Sequence, residues 1–449
     1  MQEEIPTPDK SLPAAAAPGI RLAIVIGTLE EGGAERMALN LLRELLSSGY
    51  VARLFCLGSD IDMPMPGSPQ EQQNIRDAII SLSKGTAKQN TLRKAMAFPQ
   101  LHWCLEREIR RGKVDLVISF MERANILSLM GTTRIPRIIS IRNHFATLLA
   151  DKSPLKRHLV MLGYRCLLRR ASNINFNASE AADNFSSIFP GLKAPLSVIN
   201  NFFDPDVLTL SQASPGKEAE RLLSGNSIVI TGRLMPVKGH SSLIRAFARV
   251  AENLPDSRLL ILGDGPLRGE LEQLINELGL QKQVFLAGFQ SNPYAWLARA
   301  RLFVLSSFSE GFPNALLEAV ALGRPVISTD CHSGPRELLS PDSHPGKKTE
   351  SIDKTSYGVL IPQLEQPRLS ANAPLTAAEQ AMAKAIQEML SNPSLLDHYA
   401  KQSQQRAQDF TRSAVIEKWI DLIDSHCHRE QVESDKMADH SHAPAWLRK

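Results

Sequence analysis

Cysteine is scarce in this chain. The five present, Cys56, Cys104, Cys166, Cys331 and Cys427, are scattered over 449 positions and form no C-x-x-C pair. An odd, dispersed set of thiols excludes a disulfide framework and a cysteine zinc site, and fits a reducing compartment. Net charge is nearly absent: 51 Lys and Arg against 47 Asp and Glu leave +4, which does not suggest a nucleic-acid binder. No run approaches the roughly 18 apolar residues of a membrane-spanning helix. The basic start and apolar block of a secretory signal are missing as well. The chain opens on Glu3 and Glu4 and continues as "PTPDKSLPAAAAPG", so residues 1–19 are expected to be a disordered leader and the protein cytoplasmic. The polar, His-rich stretch 425–449 is expected to be a disordered tail. The G-x-G-x-x-G fingerprint is absent, which argues against a dinucleotide oxidoreductase.

What is present is the composition of a globular protein, 43% apolar and 22% charged, in a chain long enough for two cores. Short β-branched runs alternate with helical patterns. "RLAIVIGTL" (21–29), "VARLFCLG" (51–58), "VDLVISF" (114–120), "RIISIR" (137–142), "INFNAS" (174–179) and "LSVINN" (196–201) read as strands. After the polar stretch 211–226 the alternation restarts with "SIVITG" (227–232), "RLLILG" (258–263), "VFLAG" (284–288), "LFVLSS" (302–307) and "PVIST" (325–329). Such alternation predicts parallel sheets with crossover helices. The expected class is α/β, two Rossmann-like doubly wound domains facing a cleft. The expected bounds are 20–201 for an N-terminal domain, 202–226 for a linker and 227–409 for a C-terminal domain. A helix over 410–424 would cross back to the first domain. Residues 60–75, with three prolines and no periodicity, read as a loop.

In such sheets ligands sit beyond the carboxyl ends of the strands, and those ends carry the informative residues. The first crossover, "TLEEGGAERM", holds Gly32 and Gly33. They are either a turn pair or a place where a ligand approaches the backbone and an anion meets a helix start. The first crossover of the second half, "TGRLMPVKGH", holds Arg233 and Lys238. Two cations five residues apart can converge on a diphosphate, the alternative being two solvated loop side chains. In "SSFSEGFPNALLEAVALG", Glu310 lies in a Gly-Pro loop, Asn314 is placed to cap a helix, and Glu318 follows on that helix. Ionised carboxylates accept hydrogen bonds from both hydroxyls of a diol. The amides near Gly311, Phe312 and Pro313 can reach sugar oxygens.

The spacing Glu310-x7-Glu318, with "GGAER", "GRLMPVKG" and "SGPRELL", resembles glycosyltransferase family 4 over residues 20–424. These are retaining transferases of the two-domain GT-B architecture. The strings "ISFMERANIL" and "RNHF" are similar to members that extend lipid-linked glycans in bacteria. The resemblance implies that Glu318 holds the ribose of a nucleotide sugar, UDP-linked. Glu310 and the backbone from Gly311 to Asn314 would hold the sugar. Arg233 and Lys238, with Gly232 at the strand end, would meet the diphosphate. Gly33 would admit donor phosphate or acceptor, and His144 would stand near the sugar. The implied activity is hexosyl or N-acetylhexosaminyl transfer to a glycan on a polyprenyl diphosphate, in lipopolysaccharide, capsule or exopolysaccharide synthesis.

With fixed cations for the leaving group, no metal or other cofactor is expected. Asp60-Ile61-Asp62 matches a D-x-D metal pattern but sits in the first domain beside a Pro-rich loop, and "HCH" (426–428) and "HSH" (440–442) fall in the tail. The segment "DKSPLKRHLVMLGYRCLLRRAS" (151–172) sets Leu155, Leu159, Leu162 and Cys166 at helical spacing among Lys152, Lys156, Arg157, Arg165, Arg169 and Arg170. Residues 152–170 are expected to dock on an anionic membrane, at the inner face of the cell membrane. Two other readings stay open: a transferase acting on a small soluble acceptor, and a non-catalytic sugar-nucleotide-binding protein. The polar insertion 340–356, after "SGPRELL", has no assigned role.

Overall fold

The computed structural model describes residues 19–30, 32–59, 61–83, 97–150, 152–365 and 369–441, with side chains to residue 427. Nearly all of the expected leader 1–19 lies outside these residues, as do Asp60, the His428 side chain, the "HSH" side chains and the chain from 442 onward.

The N-terminal sheet contains β1 (Arg21–Ile26), β2 (Val51–Cys56), β3 (Ile79–Ser81), β4 (Leu116–Phe120), β5 (Arg137–Ile141), β6 (Asn173–Phe176) and β7 (Leu196–Val198). Its order is β3-β2-β1-β4-β5-β6-β7, parallel throughout. The C-terminal sheet contains β8 (Ser227–Thr231), β9 (Arg258–Leu262), β10 (Val284–Gly288), β11 (Leu302–Leu305), β12 (Val326–Thr329), β13 (Asp353–Lys354) and β14 (Val359–Ile361). Its order is β10-β9-β8-β11-β12-β14-β13, with β13 antiparallel to β14. In each sheet the order reverses beside the first strand, between β1 and β4 and between β8 and β11, and a ligand crevice opens at such a reversal.

Alternation decides which core each strand residue enters. Leu22, Ile24 and Ile26 of β1 join one apolar cluster, while Ala23 and Val25 join another on the opposite face. Covered on both faces, the strand reads as an unbroken apolar run. A third cluster is continuous across the two halves. It contains Ile139, Ile174 and Phe176 from the first sheet and Val229, Leu260 and Phe303 from the second.

Helix Arg412–Ser441 lays Val415, Ile416, Trp419 and Ile423 into the cluster beneath β1. The Trp419 ring centroid lies 6.2 Å from that of Phe120, and Tyr50 donates to Asp424 at 3.0 Å. The helix does not end at 424 as expected: no glycine or proline occurs from Arg412 to Ser441, so nothing local breaks it. Residues 60–75 are not a loop throughout either, since Pro69–Ala78 is helical. Ser68 and Glu71 form a reciprocal capping box and Pro69 occupies the first turn, where its missing N–H costs nothing. The linker region contains helices Asp206–Leu210 and Lys217–Leu223. No helix of the described residues is long and apolar enough to cross a membrane.

Candidate functional site

The crevice ends of the two sheets face each other, and the paired glutamates stand between them. Helix Asn314–Ala321 begins after β11, with Pro313 in the cap position. Asn314 is therefore not the cap expected of it. Its side chain crosses the cleft instead, donating to the Gly33 carbonyl at 3.2 Å and accepting from Asn201. Glu318, one turn on, is 7% exposed. It accepts from Arg36 Nη1 at 2.6 Å, and Tyr294 Oη lies 3.0 Å from the same nitrogen. Burial raises the Glu318 carboxyl above its ordinary range and Arg36 opposes that shift. Glu318 in turn raises the Arg36 pKa. The Arg36 side chain is itself partly exposed, so it is the loss of Arg36 that would leave a buried, uncompensated charge, on Glu318.

Glu310 is engaged within its own half. It accepts from Lys238 Nζ at 2.7 Å and from Ser307 Oγ at 2.6 Å. Lys238 ends the short turn Pro236–Lys238 after β8, and Gly239 follows at φ +65°. A side chain at Gly239 would stand 2.0 Å from the Ser306 carbonyl oxygen, so the turn closes only on glycine. Gly232 leaves β8 and donates to Leu262. Arg233 is exposed and lies within electrostatic reach of Glu35, whose carboxyl is raised by burial and lowered in part by Arg233. Each half thus offers the other a counter-charge: Arg36 for Glu318, and Glu35 for Arg233.

Gly311, Phe312 and Pro313 are buried. A Cβ on Gly311 would stand 1.9 Å from the Arg142 carbonyl oxygen of the N-terminal half, so this glycine permits the halves to close. Phe312 gives its carbonyl to Asn201 at 2.9 Å, and its ring stands 5.2 Å from Phe410. His144 follows β5, is 5% exposed, and lies 2.9 Å from Thr147 Oγ1. Desolvation and the neighbouring His332 lower its pKa to about 4, leaving a neutral imidazole at physiological pH.

Composition and spacing alone missed Arg36, Tyr294, Glu180 and His332. Arg36 was within reach, because it ends the "GGAER" string. Among the described residues, His144, Glu180 and His332 also form a group that could hold a metal ion. The two rings stack at 4.3 Å and 7°, however, so one ion cannot lie in both ring planes. Lys348 occupies the carboxylate at 3.0 Å. A cavity of about 350 Å³, lined by Ile61, Asp62, Met63, Arg76 and Ile79, opens near the ends of β2 and β3. It contains neither cleft glutamate. At Arg36 and Glu318 the free volume is about 10 Å³, so a ligand there has to displace Arg36 and part the halves.

This architecture is the GT-B fold. Solved structures that align include HepE of Anabaena in complex with UDP (TM-score 0.67, 18% identity, 90% of this chain and all of that one). Sucrose-phosphate synthase of Thermosynechococcus elongatus aligns with a TM-score of 0.69 at 16% identity, over 93% of this chain and all of that one. In sequence, residues 217–353 match the family model described as Glycosyl transferases group 1, and residues 31–207 match Glycosyltransferase Family 4. An uncharacterized glycosyltransferase of Methanocaldococcus jannaschii is 33% identical over 70% of this chain and 80% of its own length. The N-acetylgalactosamine-N,N'-diacetylbacillosaminyl-diphospho-undecaprenol 4-alpha-N-acetylgalactosaminyltransferase of Campylobacter jejuni is 28% identical over 88% of this chain and 97% of its own. The chain belongs to the group 1, family 4 glycosyltransferases.

Proposed function

We propose that this protein is a retaining transferase that moves a hexosyl or N-acetylhexosaminyl group from a UDP-sugar to a lipid-linked glycan. The carrying observation is the pair Glu310 and Glu318, set eight residues apart at the crevice end of β11, with Arg233 and Lys238 on the adjacent crossover. Glu318 would take the ribose diol once Arg36 withdraws. Glu310 would take a sugar hydroxyl, and the two cations would face the diphosphate. The bond from the sugar C1 to the diphosphate oxygen breaks, and a bond from C1 to the acceptor oxygen forms on the same face. The acceptor proton passes to the departing phosphate oxygen, whose growing charge Arg233 and Lys238 stabilise. No residue need serve as a covalent nucleophile in such a front-face transfer, and no metal is required. HepE crystallised with UDP, and the Campylobacter relative named for an undecaprenol-linked acceptor, support the donor and acceptor classes.

The acceptor side carries a further feature. On helix Pro154–Leu167, Leu155, Leu159 and Leu162 are 70%, 57% and 49% exposed. Lys156, Arg165 and Arg169 are exposed around them, whereas Lys152 pairs with Glu122 at 3.3 Å. Exposed leucines flanked by cations suit the interface of an anionic bilayer, which would bring a polyprenyl-diphosphate acceptor to the cleft. Liposome flotation tests this part. Binding should require anionic lipid, weaken with salt and fall when Leu155, Leu159 and Leu162 become Gln. Equal binding to neutral vesicles would remove the electrostatic part of this reading, and no binding to anionic vesicles at low salt would favour a soluble acceptor instead. Thermal shift with UDP tests the donor part. UDP at about 100 times its dissociation constant should stabilise the protein by about 2.7 kcal/mol. Stabilisation by another nucleotide alone would overturn the UDP assignment.

A further inference from the structure

The sugar end of the cleft holds a second group of polar side chains, assembled from three distant segments. His332 follows β12, and its carbonyl accepts from the Glu310 N–H at 3.3 Å, which sets it beside the sugar-facing carboxylate. The His144 ring lies flat against the His332 ring. Glu180, in the first turn of helix Ser179–Ile188 of the N-terminal half, crosses to this point. One of its oxygens lies 2.7 Å from His332 Nδ1, and the other accepts from the Ser333 N–H at 2.8 Å and from Lys348 Nζ at 3.0 Å. Lys348 comes from the polar insertion 340–356 and also reaches the Cys331 carbonyl at 3.4 Å. The side chains of His332 and Lys348 are 36% and 27% exposed and that of Glu180 is 9% exposed, so the group is open to solvent through the imidazole and the ammonium, with the carboxylate behind them.

The charges here balance. Glu180 is negative, Lys348 is positive, and Glu310 is matched by Lys238. Hydroxyls both donate and accept, and a carboxylate, an ammonium and an imidazole supply partners of both kinds. A sugar bearing its own carboxylate would lose its water here with no unpaired cation among these groups to receive it and two carboxylates beside it, which disfavours it. We propose that Glu180, His332 and Lys348 form a subsite that reads the hydroxyls of an uncharged transferred sugar, and that Glu180 excludes uronate donors. The insertion thereby delivers a cation that offsets part of the Glu180 charge, while His332 and the Ser333 N–H also hold the carboxylate.

The inference rests on the reading of the cleft as a UDP-sugar site, and calorimetry with the full chain separates the two. The probes are UDP and two matched pairs, UDP-glucose with UDP-glucuronate and UDP-galactose with UDP-galacturonate. Within the pair whose neutral member binds more tightly, the wild type should prefer that member by at least about tenfold. Glu180→Gln should leave UDP affinity within about twofold and narrow the preference by on the order of tenfold. Lys348→Met should widen it, again with UDP little changed. If both variants weaken UDP and all sugars by one common factor, Glu180 acts only as a clamp between the halves, and the inference falls. An unaltered ratio in both variants overturns it equally. Failure of the wild type to bind UDP would sink the donor reading and the subsite together, a result distinct from either of those.

Discussion

The two halves share one strand order as far as the fifth strand, yet their first crossovers carry opposite charges. After β1 the chain reads Glu30, Glu31 and Glu35 around its glycines; after β8 it reads Arg233 and Lys238. The same strand-to-helix junction thus builds an acidic lip on one side and a basic lip on the other. A shared topology supplies the crevice, and the residues on the lip decide which half takes the anionic part of a ligand. With the cleft closed, Glu35 of the acidic lip lies within reach of Arg233 of the basic one, while Arg36, which follows Glu35, lies on Glu318 of helix Asn314–Ala321.

If the basic lip carries the leaving group, its loss should be the costliest. Arg233→Ala should lower the transfer rate by on the order of 10² to 10³, by analogy with the loss of one preorganised donor, while EDTA leaves the wild type active. Activity that vanishes with EDTA and returns with manganese would break the contrast between the lips. Next in size is Glu318→Gln, which keeps volume but loses charge-assisted bonds to the diol. UDP affinity should drop by roughly 10- to 100-fold with the fold intact, and an unchanged affinity would remove Glu318 from the donor site.

A smaller effect concerns acid. Burial lowers His144 and His240 to about 4, while an unfolded histidine titrates near about 6.5. Between those values the unfolded chain binds more protons, so stability is retained above about pH 6.5 and lost as pH falls toward about 4. Urea unfolding at pH 7 and pH 5 should give a larger loss for the wild type than for the double variant His144→Gln, His240→Gln. Equal losses would place the acid sensitivity elsewhere.

The features that were legible in the sequence are local ones. Unbroken apolar runs marked the buried strands, and the eight-residue step from Glu310 to Glu318 marked the family. Contacts across the cleft were not legible. Arg36 and Glu318 lie 282 residues apart, and Glu180 and His332 lie 152 apart; no periodicity reports such distances. The helix Pro69–Ala78 was obscured for another reason. Three prolines suggested a loop, although Pro69 follows Ser68 and precedes Glu71, the order in which proline starts a helix rather than stops one. Asn314 was misplaced by one residue, because cap preference is local whereas its side chain answers to Gly33 and Asn201 across the cleft.

Hydrogen–deuterium exchange with and without UDP compares the two lips directly, because it reports where the nucleotide binds. UDP should protect peptides spanning 231–240 and 306–320, on the basic lip and the helix bearing Glu318, and leave the cavity segment 61–79 unchanged. Protection confined to 61–79, with none in the C-terminal half, would contradict the assignment of the donor to Arg233, Lys238, Glu310 and Glu318.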